Sequence, residues 1–341
     1  MSFNITFIKG DGIGPEISDL TIKLLNSTGL NFNFEFVDAG LSALEKYKTT
    51  IPDSTLHSID KNKIAIKGPL TTPVGEGFKS VNVTLRKEFK LYANIRPIKS
   101  IKGVNSLYQD LDIVFFRENL EEFYAGIEHY IDDSRSAGVT VGIITQSASE
   151  KIAKAAFEFA LKNNRKKVTV VHKANILKCT NGVFLNAGRR IKEQYPQIQW
   201  DEKIVDNFSM QLVMNPYQFD VVYTTNLFGD ILTDLASGLI GGLGFAPSVN
   251  MGENHAIFEP VHGSAPDIAG KNLANPTSMF LSAALMLEYL EQTTTANNIR
   301  TAISNVIQEN KFVTKDINPN NYVTSDIFTN RVIEEYQKIS S

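Results

Sequence analysis

Strand-like and helix-like segments alternate through most of this chain, and that alternation restricts the fold more than any single motif. Ile5 to Ile8 reads as a strand. It leads into Gly10-Asp11-Gly12-Ile13-Gly14-Pro15-Glu16 and then a helical pattern as far as Leu25. Pro15 marks the helix start, because the N–H it lacks is one that a helix N-terminus leaves unbonded anyway. Asn33 to Val37 predicts a second strand and Leu41 to Tyr47 a second helix. Further strands are expected at 63–66, 168–172 and 221–225, and helices at 149–162, 181–195, 276–291 and 296–309. Strands separated by helices build sheets covered on both faces, an α/β architecture. One segment breaks the rhythm. Residues 118–146 carry short alternating stretches around Asp132-Asp133-Ser134-Arg135-Ser136-Ala137-Gly138, which predicts a β-hairpin arm.

The 341 residues are too many for one ordinary core and suit two domains. No repeat or Pro/Ser-rich linker marks the boundary. A net charge of −3 excludes the basic excess expected of a nucleic-acid or anionic-membrane binder, so any anion must be held by a local group of cations. The single cysteine, Cys179, allows no disulfide within the chain, which fits a reducing compartment. No apolar stretch reaches the roughly 20 residues that span a bilayer. The N-terminal segment shows no secretory or transit pattern. The expected location is the cytoplasm, or an organelle matrix if a presequence was removed.

Asp230 and Asp234 stand four residues apart in Asn226-Leu227-Phe228-Gly229-Asp230-Ile231-Leu232-Thr233-Asp234. If that run opens a helix, both carboxylates share one face, one turn apart. Such hard oxygen donors suit Mg2+ or Mn2+. The plainer alternative is a solvated helix face favoured by the helix dipole. Gly10, Gly12 and Gly14 follow a strand and precede a helix, but the spacing is not G-x-G-x-x-G, so an ordinary Rossmann site is rejected. Arg86, Arg96 and Arg117 fall near predicted turns or strand ends. Each can grip a carboxylate with two parallel hydrogen bonds, and Ser80 and Asn82 add neutral polar groups.

At this point the sequence resembles the metal-dependent decarboxylating dehydrogenases of isocitrate, 3-isopropylmalate and homoisocitrate, along essentially its whole length. The resemblance rests on Gly10 to Glu16, Gly68-Pro69-Leu70-Thr71-Thr72-Pro73, Leu85-Arg86-Lys87 and Leu91-Tyr92-Ala93-Asn94-Ile95-Arg96-Pro97. It continues through Arg117-Glu118-Asn119, Val171-His172-Lys173-Ala174-Asn175, Asn226 to Asp230, and His262-Gly263-Ser264-Ala265-Pro266-Asp267-Ile268-Ala269-Gly270. It implies two α/β domains around a cleft rather than a Rossmann fold. Residues 1–92 with 241–341 would form the large, cofactor-side domain. Residues 93–240 would form the small domain, with a dimerisation arm at about 118–146.

The resemblance also implies roles. Arg86, Arg96 and Arg117 would hold the malate-like part of the substrate. Ser80 and Asn82, in the Ser-x-Asn-x-x-Leu-Arg pattern of the isocitrate branch, would meet the additional carboxylate, with Thr72 closing over it. Homoisocitrate, one methylene longer, and 3-isopropylmalate are the alternatives, as is a non-catalytic regulatory subunit of a hetero-oligomeric isocitrate dehydrogenase. Asp206, Asp230 and Asp234 would be metal ligands, with Asp206 reaching in from the second subunit of a homodimer with shared sites. Tyr124, Lys173 and Asp206 would carry proton transfer. Lys173, beside arginines and a dication, would have a lowered pKa. Ile13, Thr72, Glu259, His262, Gly263, Ser264, Ala265, Asp267, Ile268 and Asn275 would bind the dinucleotide, with Glu259 on the nicotinamide side. Asp267-Ile268 replaces the Lys-Tyr of NADP-using members, which implies NAD. Lys315 and Pro319 stand where those members have Tyr and Arg.

Overall fold

A computed structural model describes residues 2–71 and 80–341. Thr72, expected in the site, lies outside the described residues. The elements run β1 Ser2–Ile8, α1 Gly14–Asn26, β2 Asn31–Val37, α2 Leu41–Tyr47, α3 Asp53–Asn62, β3 Ile64–Lys67, α4 Val81–Glu88, β4 Ala93–Lys99, β5 Asp112–Glu118, β6 Glu128–Tyr130, β7 Gly138–Thr140 and α5 Gln146–Lys162. They continue with β8 Lys167–His172, α6 Thr180–Lys192, β9 Gln199–Ile204, α7 Val205–Met214, β10 Val221–Thr224, α8 Asn226–Leu239, β11 Pro247–Met251, β12 Ala256–Pro260, α9 Thr277–Tyr289, α10 Thr293–Glu309 and α11 Ser325–Ser340.

Ten strands form one sheet in the order β2-β1-β3-β12-β11-β4-β5-β10-β8-β9. Its two ends are parallel and joined through helices, as the alternation predicts. Parallel strands covered on both faces read as continuous apolar runs. Accordingly Val168, Val170, Val171, Val221, Val222 and Tyr223 are all buried. The middle is antiparallel, β12-β11-β4-β5, and this is where the charged residues gather. Asn94 lies opposite Arg117 and Arg96 opposite Phe115. Alternation along a strand therefore puts Asn94, Arg96 and Arg117 on one face.

Phe7, Phe258, Phe280 and Phe328 belong to one apolar core, and Phe157, Phe184 and Tyr223 to a second. The glycine-rich turn serves close packing. Gly12 has φ +58°, and a Cβ there would lie 2.1 Å from the Ser264 carbonyl oxygen. Asp11 between the glycines accepts hydrogen bonds from the backbone N–H groups of Leu41 (3.1 Å), Ser42 (3.2 Å) and Thr71 (2.8 Å). The turn thus ties three loops together.

The β-hairpin is present but shorter than the 118–146 segment. Glu118 ends β5 and Gln146 starts α5; between them β6 and β7 pair over three residues each, and a single antiparallel bridge joins Glu122 to Ile143. Four helices (α3, α4, α7 and α11) were not anticipated from the sequence. In α11 the buried face is Phe328, Val332 and Tyr336, a spacing that was available to be read.

Candidate functional site

The three arginines emerge from two strands and a helix into one cleft, and all are buried. Arg117, at the end of β5, is gripped from α8. Its Nε and Nη2 donate to Asn226 Oδ1 at 3.0 and 2.8 Å, and Nη1 donates to Asp230. Arg96 donates from Nε to Asn94 Oδ1 (2.7 Å) and from Nη1 to Thr233 Oγ1 (2.6 Å) and Asp234 Oδ1 (3.1 Å). Arg86 differs. Its Nε finds no partner among the described residues, and its nearest carboxylate, Glu259, stands 3.9 Å away. Burial and repulsion from Arg117 push the Arg86 guanidinium down to about 10. Among the described residues, negative charge is short at this arginine.

α8 explains the aspartate pair. Its first turn has no side-chain cap of its own; instead the Glu122 carboxylate accepts from Leu227 N at 2.7 Å. Asp230 and Asp234 follow on the face turned to the arginines. Burial raises the Asp230 carboxyl, but Arg117 and the Tyr124 hydroxyl more than offset it and hold the pKa low. The Asp234 carboxyl is raised by burial and by Asp230, against the pull of Arg96. Two oxygen-donor carboxylates one turn apart could hold a hard divalent cation. Among the described residues no group of three His, Cys, Asp or Glu side chains assembles within the chain. The remaining ligands would have to come from substrate, water or a second copy.

Tyr124 donates its hydroxyl hydrogen to Asp230 Oδ2, and its ring lies 4.9 Å from the Arg117 guanidinium. Burial and this bond raise its pKa, so it keeps its proton at neutral pH. Lys173, just past β8, is held by Asn181, whose Oδ1 accepts from Lys173 N at 2.8 Å. Its ammonium pairs with Asp206 at 2.7 Å. Within one chain, then, the charged neighbour of Lys173 is a carboxylate rather than the expected arginines. Asp206 remains largely exposed, its carboxyl held low by Lys173.

A second pocket of about 270 Å3 lies against the glycine turn and is lined by Ile13, His262, Gly263, Ala265, Ile268 and Asn275, all expected cofactor residues. Burial lowers the His262 pKa. Ser264 holds the loop to the turn through Thr71 Oγ1 (2.6 Å) and through its carbonyl, which accepts from Ile13 N (2.8 Å). Asp267 is exposed beside this pocket rather than lining it. Asp316 also lines the pocket and accepts from Asn275 Nδ2 at 2.8 Å. It was missed because no quoted motif includes it.

A smaller pocket of about 140 Å3, bordered by Lys67, Asn82, Arg86, Arg96, Glu259 and His262, shares His262 with that second pocket. Ser80 is used as the N-cap of α4, its Oγ accepting from Val83 N at 3.5 Å. Glu259 is paired with Lys67. Burial works to raise its carboxyl, but Lys67 and Arg86 bring it down to about 2. Lys67 also escaped the sequence reading. Its signal is an isolated lysine at the buried end of an apolar strand.

The sequence profile described as isocitrate/isopropylmalate dehydrogenase matches residues 4–335. The chain belongs to the isocitrate/isopropylmalate dehydrogenase family. It is 49% identical over 92% of its length, and 82% of the other chain, to the probable mitochondrial NAD isocitrate dehydrogenase subunit alpha of Drosophila melanogaster. It is 46% identical to a 3-isopropylmalate dehydrogenase of Archaeoglobus fulgidus, over 93% of this chain and 94% of that one. The crystal structure of isocitrate dehydrogenase from Methylococcus capsulatus superposes with a TM-score of 0.96 at 48% identity, covering 98% of this chain and 99% of that one. The fold is therefore that of this dehydrogenase family. No helix among the described residues is long and apolar enough to cross a membrane.

Proposed function

We propose that this dehydrogenase oxidises and decarboxylates isocitrate to 2-oxoglutarate and CO2, reducing NAD. The observation that carries the substrate assignment is Asn82, a polar side chain that borders the Arg86 pocket. Buried Arg86 Nε and Asn82 Oδ1 have no partner among the described residues. Arg86 Nε can donate to a substrate carboxylate, whereas Asn82 Oδ1 can only accept, so it is the Asn82 amide N–H that would donate to the additional carboxylate of isocitrate. An isopropyl group there would leave that polar group unpaired, which such a site discriminates against strongly. A substrate carboxylate supplies the missing charge. Identity does not separate the substrates, at 49% and 46% to relatives named for each.

Arg86, Arg96 and Arg117 grip and orient the substrate carboxylates. Asp230 and Asp234, with Asp206 from a second copy, would hold Mg2+ or Mn2+. The cation would supply Lewis-acid polarisation at the 2-hydroxy acid. Bound NAD would supply the acceptor for the C2 hydride; Lys173 and Asp206 would take the hydroxyl proton, and the C3 carboxylate would leave as CO2. Tyr124, which keeps its proton, then protonates C3. Asp267 would bond the ribose hydroxyls of NAD and repel a 2′-phosphate. Lys271 Nζ donates to the Asp267 carbonyl oxygen at 2.7 Å, and Lys315 lies over the Tyr322 ring at 5.7 Å.

We take residues 1–92 with 241–341 as the large domain and 93–240 as the small one, and the active form as a homodimer. A single cysteine fits a cytoplasmic or matrix setting. Initial rates of NADH formation with Mg2+ or Mn2+ test the proposal, comparing isocitrate, homoisocitrate and 3-isopropylmalate, and NADP against NAD. Turnover of isocitrate with NAD is expected. Another preferred acid or NADP would overturn the corresponding assignment, and a chain inactive alone would point to a regulatory subunit.

A further inference from the structure

Behind the arginines runs a chain of buried amides that none of the roles above uses. Asn94 on β4 and Asn250 on β11 are direct cross-strand partners, and both are buried. Arg96 Nε donates to Asn94 Oδ1 at 2.7 Å. Asn94 Nδ2 donates to Asn250 Oδ1 at 3.0 Å, and Asn250 Nδ2 donates to Glu259 Oε1 at 2.5 Å. Asn119 Nδ2 also donates to Asn250 Oδ1 at 3.0 Å, and to the Leu91 carbonyl at 3.0 Å.

The two ends of this chain dictate the orientation of every amide in it. A guanidinium can only donate, so Asn94 must turn its oxygen to Arg96. An ionised carboxylate can only accept, so Asn250 must turn its nitrogen to Glu259. The link between the two asparagines then has one permitted polarity, and the observed one satisfies it. All the dipoles point the same way, from a cation at one end to an anion at the other, an arrangement in which each bond polarises the next. Lys67, paired with Glu259, keeps that anion ionised.

The consequence for Arg96 is specific. With Nε held by Asn94 and Nη1 held by Thr233 and Asp234, its guanidinium plane is fixed before any ligand enters. Among the described residues Arg86 has no such support at Nε. Rigid placement of a carboxylate clamp is what lowers the cost of orienting a substrate.

We propose that Asn94 and Asn250 are positioning residues for Arg96. They form an oriented amide relay that presets its guanidinium and links it to the Glu259–Lys67 pair. This rests on the reading of Arg96 as a substrate-carboxylate ligand. The test compares Asn94→Leu, of similar shape but with no acceptor, with Asn94→Asp, which restores an acceptor for Arg96 Nε but cannot donate to Asn250. The probe acid is whichever of isocitrate, homoisocitrate and 3-isopropylmalate the wild-type enzyme binds most tightly by calorimetry in the presence of Mg2+. A failed substrate assignment is thereby seen in the wild type, separately from the relay.

Asn94→Leu is expected to raise KM for the acid, or its Kd, by roughly tenfold to a hundredfold, the loss of one hydrogen bond to a charged group. Its kcat should fall by less and its KM for NAD should change little. Asn94→Asp should recover at least half of that loss on a logarithmic scale, even if its Tm is as low as that of Asn94→Leu. If both variants lower Tm equally and leave the acid's KM and Kd within about twofold of wild type, the amides are only structural and the proposal fails. It fails equally if Asn94→Asp is no better than Asn94→Leu.

Discussion

Gly229 leaves the space that the stem of Arg117 fills. A Cβ at Gly229 would lie 2.5 Å from Arg117 Cγ and 2.7 Å from its Cβ. These atoms are close to the backbone and buried, so they cannot swing away as a flexible tip could. The absent side chain on α8 therefore sets how closely that helix, with Asp230 and Asp234, approaches β5.

Gly229→Ala should push α8 off β5. Overpacking of this kind costs about 1–3 kcal/mol of stability. Displacement of the aspartates from the arginines by the order of an ångström should lower kcat/KM about a hundredfold. Denaturation midpoints and steady-state kinetics together check this. A fall in stability without a fall in kcat/KM would show that the aspartates do not need this spacing.

Lys173 and Asp206 face each other, while among the described residues no third carboxylate joins Asp230 and Asp234 within the chain. If sites are shared between subunits, Lys173→Met and Asp230→Asn should each be inactive alone. Co-expressed, they should recover about a quarter of the wild-type rate, because half the dimers are mixed and each mixed dimer holds one intact site. No recovery in a verified mixed dimer would place the whole site in one chain.

Lys67→Met should be strongly destabilising, by roughly 3–5 kcal/mol, because it strips Glu259 of its nearest counter-charge in a buried setting. The pH dependence follows from the shift to about 2. A carboxyl depressed in the folded state stabilises above its unfolded pKa, and that contribution is lost as pH falls toward the folded value. The wild type should therefore lose this contribution between about pH 5 and pH 2. In Lys67→Met the carboxyl should be raised instead, so its deficit relative to wild type should shrink on acidification. Urea denaturation across that range measures both curves, and parallel curves would sink the idea.

Asp267→Lys with Ile268→Tyr should exchange a repulsive carboxylate for a cation beside the expected ribose. The ratio of kcat/KM for NADP over that for NAD should rise at least tenfold, equivalent to about 1.4 kcal/mol, with KM for the acid little changed. An unaltered ratio would show that Asp267 does not face the 2′ position.

The parallel ends of the sheet were legible because β8 and β10 are uniform apolar runs bounded by helices. α3 and α7 were not, since α3 buries only Thr55, Ser58 and Ile59, and α7 only Phe208 and Leu212. A narrow apolar stripe gives a weak periodic signal. The hairpin was read too broadly because its flanks, Glu118 and Gln146, also alternate but belong to β5 and α5. Lys67 and Asp316 were overlooked for a common reason. Each reaches the site through a partner, Glu259 or Asn275, that is remote in sequence.

By itself the sequence determined the α/β alternation, the family, and the residue types able to grip carboxylates and a hard cation. Those follow from periodicity and from contiguous motifs, which are local. Tertiary structure alone decided which of those groups are already satisfied. Arg96 and Arg117 are pinned by Thr233 and Asn226, whereas among the described residues Arg86 has no partner for its Nε. The physical reason is that burial makes every polar group's partner matter, and partners are assigned by strand register and helix approach, which bring together residues more than a hundred positions apart.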